Sequence, residues 1–268
     1  MSVIHSQQLP RIMVAPTGAR RTKVDHPSLP MTADEIVGTA AACFAAGAGA
    51  IHAHVRDAEG GHSLDIGLYT DLVSRLRHRV PGMLVQISTE AVGIYTPEEQ
   101  IALVRALKPA FVSVALREIF PEGGDEARAV DFYRWCKREG ISVQHILYDT
   151  VDVLRLAEFQ ARHLASASRL SVIYVLGRYA VDQESSPLDL EPFLDAALQF
   201  SSPPDWMVCA FGRGETDCLA AALAAGGKVR VGFENSFWHS DGRIASSNAE
   251  RVAIIREIAD RMQEGRRA

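Results

Sequence analysis

Eight short apolar runs rich in β-branched residues recur along the chain, and segments of helical periodicity separate them. The runs are IMVA at 12–15, AIHAHV at 50–55, LVQIS at 84–88 and FVSVAL at 111–116, followed by ISVQHILY at 141–148, LSVIYVLG at 170–177, WMVCAFG at 206–212 and KVRVGFE at 228–234. Their mean spacing, about 33 residues, accommodates a strand, a crossover helix and two short loops. Strands that alternate with helices run parallel, and near-continuous apolar character implies that both faces of the sheet are covered. Eight such units without a long structureless insertion predict a closed (β/α)8 TIM barrel of the α/β class rather than an open doubly wound sheet. The length of 268 residues suits one such barrel, which typically needs about 250. No linker rich in Pro, Gly or Ser divides the chain, so a single barrel domain over 1–268 is expected.

The intervening segments carry helix signals. Thr32 and Glu35 form a capping box for a helix through about Ala46, which Gly47 terminates. Pro97 with Glu98 and Glu99 opens a helix ending near Lys108, its acids at the positive end of the helix dipole. Helices are also expected over Asp125–Glu139, Val151–Ser166, Leu188–Phe200, Thr216–Ala225 and Asn248–Gln263.

Composition narrows the partners. Hydrophobic residues make up 47% of the chain and charged ones 23%, which is globular rather than disordered. Lys plus Arg total 28 against 33 Asp plus Glu, a net charge of -5 with no basic tail or stripe, which argues against nucleic acid as a partner. No run reaches the length of a membrane helix, and MSVIHSQQLPR lacks the apolar core of a secretory signal, so a cytoplasmic location is expected. Cys43, Cys136, Cys209 and Cys218 occur singly, without the CxxC pairs of a cysteine zinc site, and read as reduced filler.

In a barrel, chemistry belongs to the carboxyl ends of the strands. Near the end of the second run, His52 and His54 share a face because side chains alternate along a strand. Two imidazoles one repeat apart suit a divalent cation such as zinc, and they are equally compatible with histidines satisfied by backbone or carboxylate partners. Glu234, at the end of the last run, is within reach as a third ligand, since that strand closes against the first and lies one place from the second, and it equally reads as an ordinary strand-end carboxylate at a loop or helix cap. Arg230 is four residues earlier on the same face, and an inward arginine needs an anion, either a protein carboxylate or one from substrate. Ser88, Thr89 and Ser113 supply hydroxyls to the same mouth. No GxGxxG or GxxxxGK[ST] motif supports a dinucleotide or P-loop site, and FGRGE at 211–215 reads as a turn or a phosphate-binding loop.

Four ordered motifs, VAPTGA at 14–19, LPMTADEI at 29–36, AGAGAIHAHVRD at 46–57 and GGKVRVGFEN at 226–235, together with SSNAERV at 246–252, resemble the beta-keto acid cleavage enzyme family. The resemblance spans essentially the whole chain. It implies a zinc-dependent, or other divalent-metal, barrel enzyme in which a β-keto acid and acetyl-CoA yield acetoacetate and a new acyl-CoA by retro-Claisen cleavage. His52, His54 and Glu234 are then the implied metal ligands. Arg230 positions an active-site acid, and Ser88 and Ser113 surround the reacting centre. Relatives imply a homo-oligomer.

Three departures qualify the implied chemistry. Asn235 stands where the family commonly has an aspartate that resembles the base, and an amide takes no proton at neutral pH. Glu90, in STEAVG after the third run, is the candidate replacement, the alternative being a solvated loop acid. Gln144 opens a segment that is usually acidic and, with Arg20, is assigned to substrate binding; Arg20 occupies a place that is acidic in the relative taking an aminated keto acid, which points to an anionic or neutral substrate tail. The alternatives are a metal-dependent aldolase or hydrolase that uses no CoA, a catalytically altered relative, and a binding protein that keeps its metal and ligand.

Overall fold

The computed structural model describes residues 8–164 and 169–265. All eight expected strands form: β1 Ile12–Val14, β2 Ala50–Ala53, β3 Leu84–Ser88, β4 Phe111–Ala115, β5 Ser142–Leu147, β6 Ser171–Leu176, β7 Asp205–Ala210 and β8 Lys228–Val231. Each pairs in parallel with its sequence neighbours, and β1 pairs with both β2 and β8, so the sheet closes into a barrel with helices between the strands. This is the (β/α)8 architecture expected from the spacing of the runs.

The period of two sorts the side chains into two shells. Met13, Phe111, Ile146, Ile173, Met207 and Cys209 pack together inside the barrel. Their neighbours of opposite parity, Val14, Val112, Leu147, Val172 and Val208, join helix residues such as Leu72, Val104, Phe132 and Val252 in the surrounding layer. Inside the barrel, Lys228 Nζ lies 2.7 Å from both carboxylate oxygens of Asp205, which also accepts the Leu9 amide.

The Thr32–Glu35 box caps Ala33–Ala45, and a second box from Thr96 and Glu99 caps Pro97–Leu107 with proline at its start. A helix that the sequence reading passed over, Ile66–Arg79, separates β2 from β3. Its signal was present: Asp65 caps it, and Tyr69, Leu72, Val73 and Leu76 bury one face.

Three other expectations change. The helix expected over Val151–Ser166 is α-helical from Thr150 to Phe159 and π-helical over Gln160–Leu164, and its expected end at Ser166 lies outside the described residues. The Leu188–Phe200 helix is broken into a 3-10 turn, a short α-helix over Glu191–Ala196 and another 3-10 turn; prolines stand at its first helical positions. The last strand ends at Val231 rather than running to Glu234, because Gly232 adopts φ 143 and a Cβ there would lie 2.4 Å from the Ala15 carbonyl oxygen. The chain therefore turns against the end of β1, and Glu234 is delivered by a loop, not by strand parity.

A buried strut holds that loop. Arg251 of the helix Asn248–Gly265 pairs with Glu215 at 2.6 Å, both fully buried, and Glu215 also accepts from the Gly232 amide. Asn248 accepts from the Phe233 amide and donates to the Pro16 carbonyl, which ties the loop to the end of β1.

Candidate metal centre and its cavity

His52 lies within β2 and His54 just beyond it, both essentially buried, and Glu234 reaches them from the loop after β8. The ligand atoms of the three residues lie within 4.8 Å of one another. Gly18, in the loop after β1, makes room for the carboxylate: it has φ +67, and a Cβ there would sit 2.6 Å from Glu234 Cγ. Arg56 Nη2 donates to the Gly18 carbonyl at 2.7 Å and so holds that loop in place.

Two hydrogen-bond chains, each ending on a backbone carbonyl, assign the histidine tautomers. In the first, the Val172 carbonyl accepts from Gln144 Nε2 at 3.5 Å, Gln144 Oε1 accepts from Gln86 Nε2 at 2.9 Å, and Gln86 Oε1 faces His52 Nδ1 at 2.7 Å. An amide oxygen only accepts, so His52 Nδ1 carries the proton and Nε2 keeps a lone pair. In the second, the Glu90 carbonyl accepts from His62 Nε2 at 2.8 Å, which leaves His62 Nδ1 to accept from His54 Nδ1 at 3.5 Å. His54 Nε2 then also keeps its lone pair.

Those two Nε2 atoms are 3.0 Å apart, and each is 3.7 Å from Glu234 Oε2, a buried oxygen with no hydrogen-bond partner. Protons do not relieve the clash at neutral pH. Burial pushes the His52 imidazole down to about 4, with Arg230 adding to the effect, and holds His54 well below the usual histidine range. Three converging lone pairs without a proton to share are the donor set of a divalent cation, and two imidazoles with one carboxylate suit zinc while leaving a coordination position open. The residues therefore fit the metal that the sequence motifs imply, with Gln86 and His62 as orienting partners.

Arg230 Nη2 donates to Glu234 Oε1 at 3.0 Å. Burial alone would raise the Glu234 carboxyl, but Arg230, His52, Arg178 and Arg21 outweigh it and keep the group ionised. Beside the donor set lies a cavity lined by His52, Ser88, Glu90, Tyr148, Arg178 and Arg230, among others. Burial and the nearby Glu234 charge push Glu90 up to about 7, against the opposing pull of Arg178. The Glu90 amide donates to Ser88 Oγ at 3.1 Å, so the strand-end serine shapes the loop that carries this acid.

Of the residues singled out in the sequence, His52, His54, Glu234, Arg230, Ser88 and Glu90 come together here, and Arg20 is exposed in the wall of an adjoining cavity. Three others are placed elsewhere. Ser113 is fully buried and turns its hydroxyl toward the Ile87 carbonyl at 3.4 Å, and the Thr89 hydroxyl likewise donates to the Ser113 carbonyl. Gln144 is also fully buried and reaches Gln86 rather than the cavity. Asn235 is buried with neither amide atom hydrogen-bonded. The glycines of FGRGE pack against the backbone of Gln183 and Ser185, so that turn is filled by the chain itself and forms no phosphate cradle.

Sequence reasoning missed Gln86, His62, Tyr148 and Arg178. Tyr148 ends the fifth run and Arg178 directly follows the sixth, so the strand-end rule applied to all eight strands would have found them. His62 was hidden by the small antiparallel hairpin of Val55–Arg56 with His62–Ser63, which folds it back onto His54.

The chain matches the model of the beta-keto acid cleavage enzyme family over residues 11–266. It is 30% identical over 257 residues to the 3-keto-5-aminohexanoate cleavage enzyme of Acetoanaerobium sticklandii, covering 92% of this chain and 90% of that protein. It is 25% identical to the 3-oxoadipate:acetyl-CoA acetyltransferase of Cupriavidus necator, covering 93% and 88%. Among solved structures, a ternary complex of ObcA with a C4-CoA adduct and oxalate superposes with a TM-score of 0.71 at 16% identity, over 89% of this chain. This chain spans 65% of the ObcA chain, and the likeness is one of fold.

Proposed function

This chain belongs to the beta-keto acid cleavage enzyme family, and from that premise we propose that it is a zinc-dependent enzyme converting a β-keto acid and acetyl-CoA into acetoacetate and a new acyl-CoA. Relatives named as acetyl-CoA transferases of keto acids support acetyl-CoA as the co-substrate. The observation that carries the reading is the convergence of two proton-free imidazole nitrogens and an unpartnered carboxylate oxygen beside Arg230 and Glu90. A divalent cation held by His52, His54 and Glu234 supplies Lewis-acid polarisation of the keto acid's oxygens.

The remaining steps fall to the chain's own side chains. Glu90, with its carboxyl lifted to about 7, is matched to accept the proton from the carbon between the keto and carboxylate groups. That carbanion attacks the thioester carbonyl of acetyl-CoA and the CoA thiolate leaves. The thiolate then attacks the original keto carbon, the bond from that carbon to the carboxylate-bearing carbon breaks, and Glu90 returns its proton to the expelled carbanion, giving acetoacetate and the new thioester. Arg230 holds Glu234 in place through their hydrogen bond and keeps it ionised. Asn235 takes no part as a base, since its buried amide cannot accept a proton. Arg20 contributes to binding the substrate tail at the cavity rim.

Incubating zinc-loaded protein with a panel of β-keto acids and acetyl-CoA, with products identified by mass, tests the proposal. Acetoacetate together with a new CoA ester is the expected result. Keto acid turnover that ignores acetyl-CoA would favour the aldolase or hydrolase alternative, and full activity without metal would overturn the proposal.

A further inference from the structure

Two adjoining cavities share Glu90, Arg178, Phe211 and Glu234 in their walls. The inner one lies at His52, Ser88 and Arg230. The outer one, about 90 Å³, continues to Thr17, Arg20 and Gln183. A molecule anchored at the metal ligands therefore extends past Arg178 on its way to the rim.

Apart from Arg20 at the rim, the other arginines around this mouth are committed to the protein. Arg56 donates to the carbonyls of Gly18, Arg21 and Gly60, Arg21 to those of Phe233 and Asn235, and Arg230 to Glu234 and Cys209. Arg178 differs. Its side chain is only 13% exposed, yet among the described residues its guanidinium donates no hydrogen bond, and the Glu90 carboxylate oxygen beside it is 3.8 Å away. The guanidinium lies over the rings of Phe211 and Tyr179, whose centroids are 5.2 and 5.8 Å from its central carbon. A guanidinium has five N–H donors, and Arg178 lines both cavities with a long ion pair to Glu90 and no hydrogen bond to a protein acceptor among the described residues. Its donors therefore remain open for the two parallel hydrogen bonds that a carboxylate accepts.

We propose that Arg178, with Arg20 at the rim, receives a second carboxylate at the far end of the substrate, which makes this protein selective for β-keto dicarboxylates. The inference rests on the proposed function in one respect, that the metal end of the cavity holds the β-keto acid group. Arg178 is the specificity-determining residue for the distal carboxylate. Arg20, exposed and without an ion pair or side-chain hydrogen bond among the described residues, adds charge at the entrance.

The test compares a six-carbon β-keto dicarboxylate with the six-carbon β-keto monocarboxylate, using zinc-loaded protein and its Arg178→Ala and Arg178→Lys variants. Steady-state kinetics and calorimetric binding are both read. The expected result is a dicarboxylate preference in kcat/KM and in Kd that falls roughly 10- to 100-fold in Arg178→Ala, as for loss of a charge-assisted contact, with partial retention in Arg178→Lys. The KM for acetyl-CoA stays unchanged. Turnover of both acids without an Arg178-dependent preference would overturn the inference and leave the proposed function standing. A variant that instead raises the KM for acetyl-CoA would assign Arg178 to the CoA phosphates and would also overturn it. Selective dicarboxylate binding without turnover would uphold the inference and remove the proposed reaction, and neither binding preference nor turnover would remove both.

Discussion

His52 and His54 meet Nε2 to Nε2 at 3.0 Å, with each ring's other nitrogen committed to a protein partner. Nothing protonic stabilises that contact at neutral pH, since burial holds both imidazoles below the usual histidine range. The pair has the arrangement that a cation would need, and the surrounding hydrogen bonds would contribute to the affinity for one.

Removing one donor tests the site directly. His52→Ala is expected to abolish stoichiometric zinc binding, read by metal analysis after dialysis, and with it the activity. Glu234→Gln keeps the shape but loses the charge, and is expected to weaken zinc in chelator competition. Retention of full zinc by His52→Ala would move the centre elsewhere.

Gln86 acts through His52. Gln86→Leu removes the acceptor that fixes the proton on His52 Nδ1, and is expected to weaken zinc affinity about 10- to 100-fold. Circular dichroism of the variant should remain that of the folded barrel. Gln86→Glu retains an acceptor at that position and is expected to recover most of the affinity.

Glu90 sets a pH dependence. A base works deprotonated, so kcat/KM should rise with pH through the Glu90 ionisation and level off above it. That ionisation is lifted to about 7 in the metal-free protein by burial and by Glu234. A bound cation partly cancels the Glu234 charge, so the zinc-loaded enzyme should show the limb below that value. Glu90→Gln is expected to lose the limb and roughly 10²- to 10⁴-fold in rate. An unchanged pH profile would exclude Glu90 as the base.

The Arg251–Glu215 pair supports the loop that delivers Glu234. Arg251→Ala leaves Glu215 ionisable and unpaired in a site without solvent, and is expected to cost about 3–5 kcal/mol in urea unfolding. Replacing both partners with apolar residues of similar volume should recover part of that loss. A change below 1 kcal/mol, on the order of a surface pair, would contradict the burial.

Asn235→Asp introduces the acid that the family resemblance leads one to expect at this position. Its amide is buried without a hydrogen-bond partner, so the new carboxyl enters a site with no prepared donor. The expected outcome is lower stability and no gain in rate; a faster enzyme would show that Asn235 limits the native reaction.

The number and direction of the strands, the shared face of His52 and His54, and the nearness of Arg230 to Glu234 were legible in the sequence, though not which anion Arg230 meets. These depend on local regularities: the alternation of side chains along a strand, the spacing of apolar runs, and motifs held in order. Even there, one agreement had the wrong cause, since Arg230 and Glu234 meet across a glycine turn and not along a strand. The tertiary structure alone decided which distant residues share a hydrogen bond. It brought Gln86 and Gln144 together behind His52, folded His62 back onto His54, turned Ser113 away from the cavity, and set Arg178 beside Glu90 with no hydrogen bond to a protein acceptor among the described residues. Such relations depend on register between strands and on the paths of loops, which are set when the barrel closes and every strand must meet its neighbours at once. A sequence read one segment at a time carries no record of that closure.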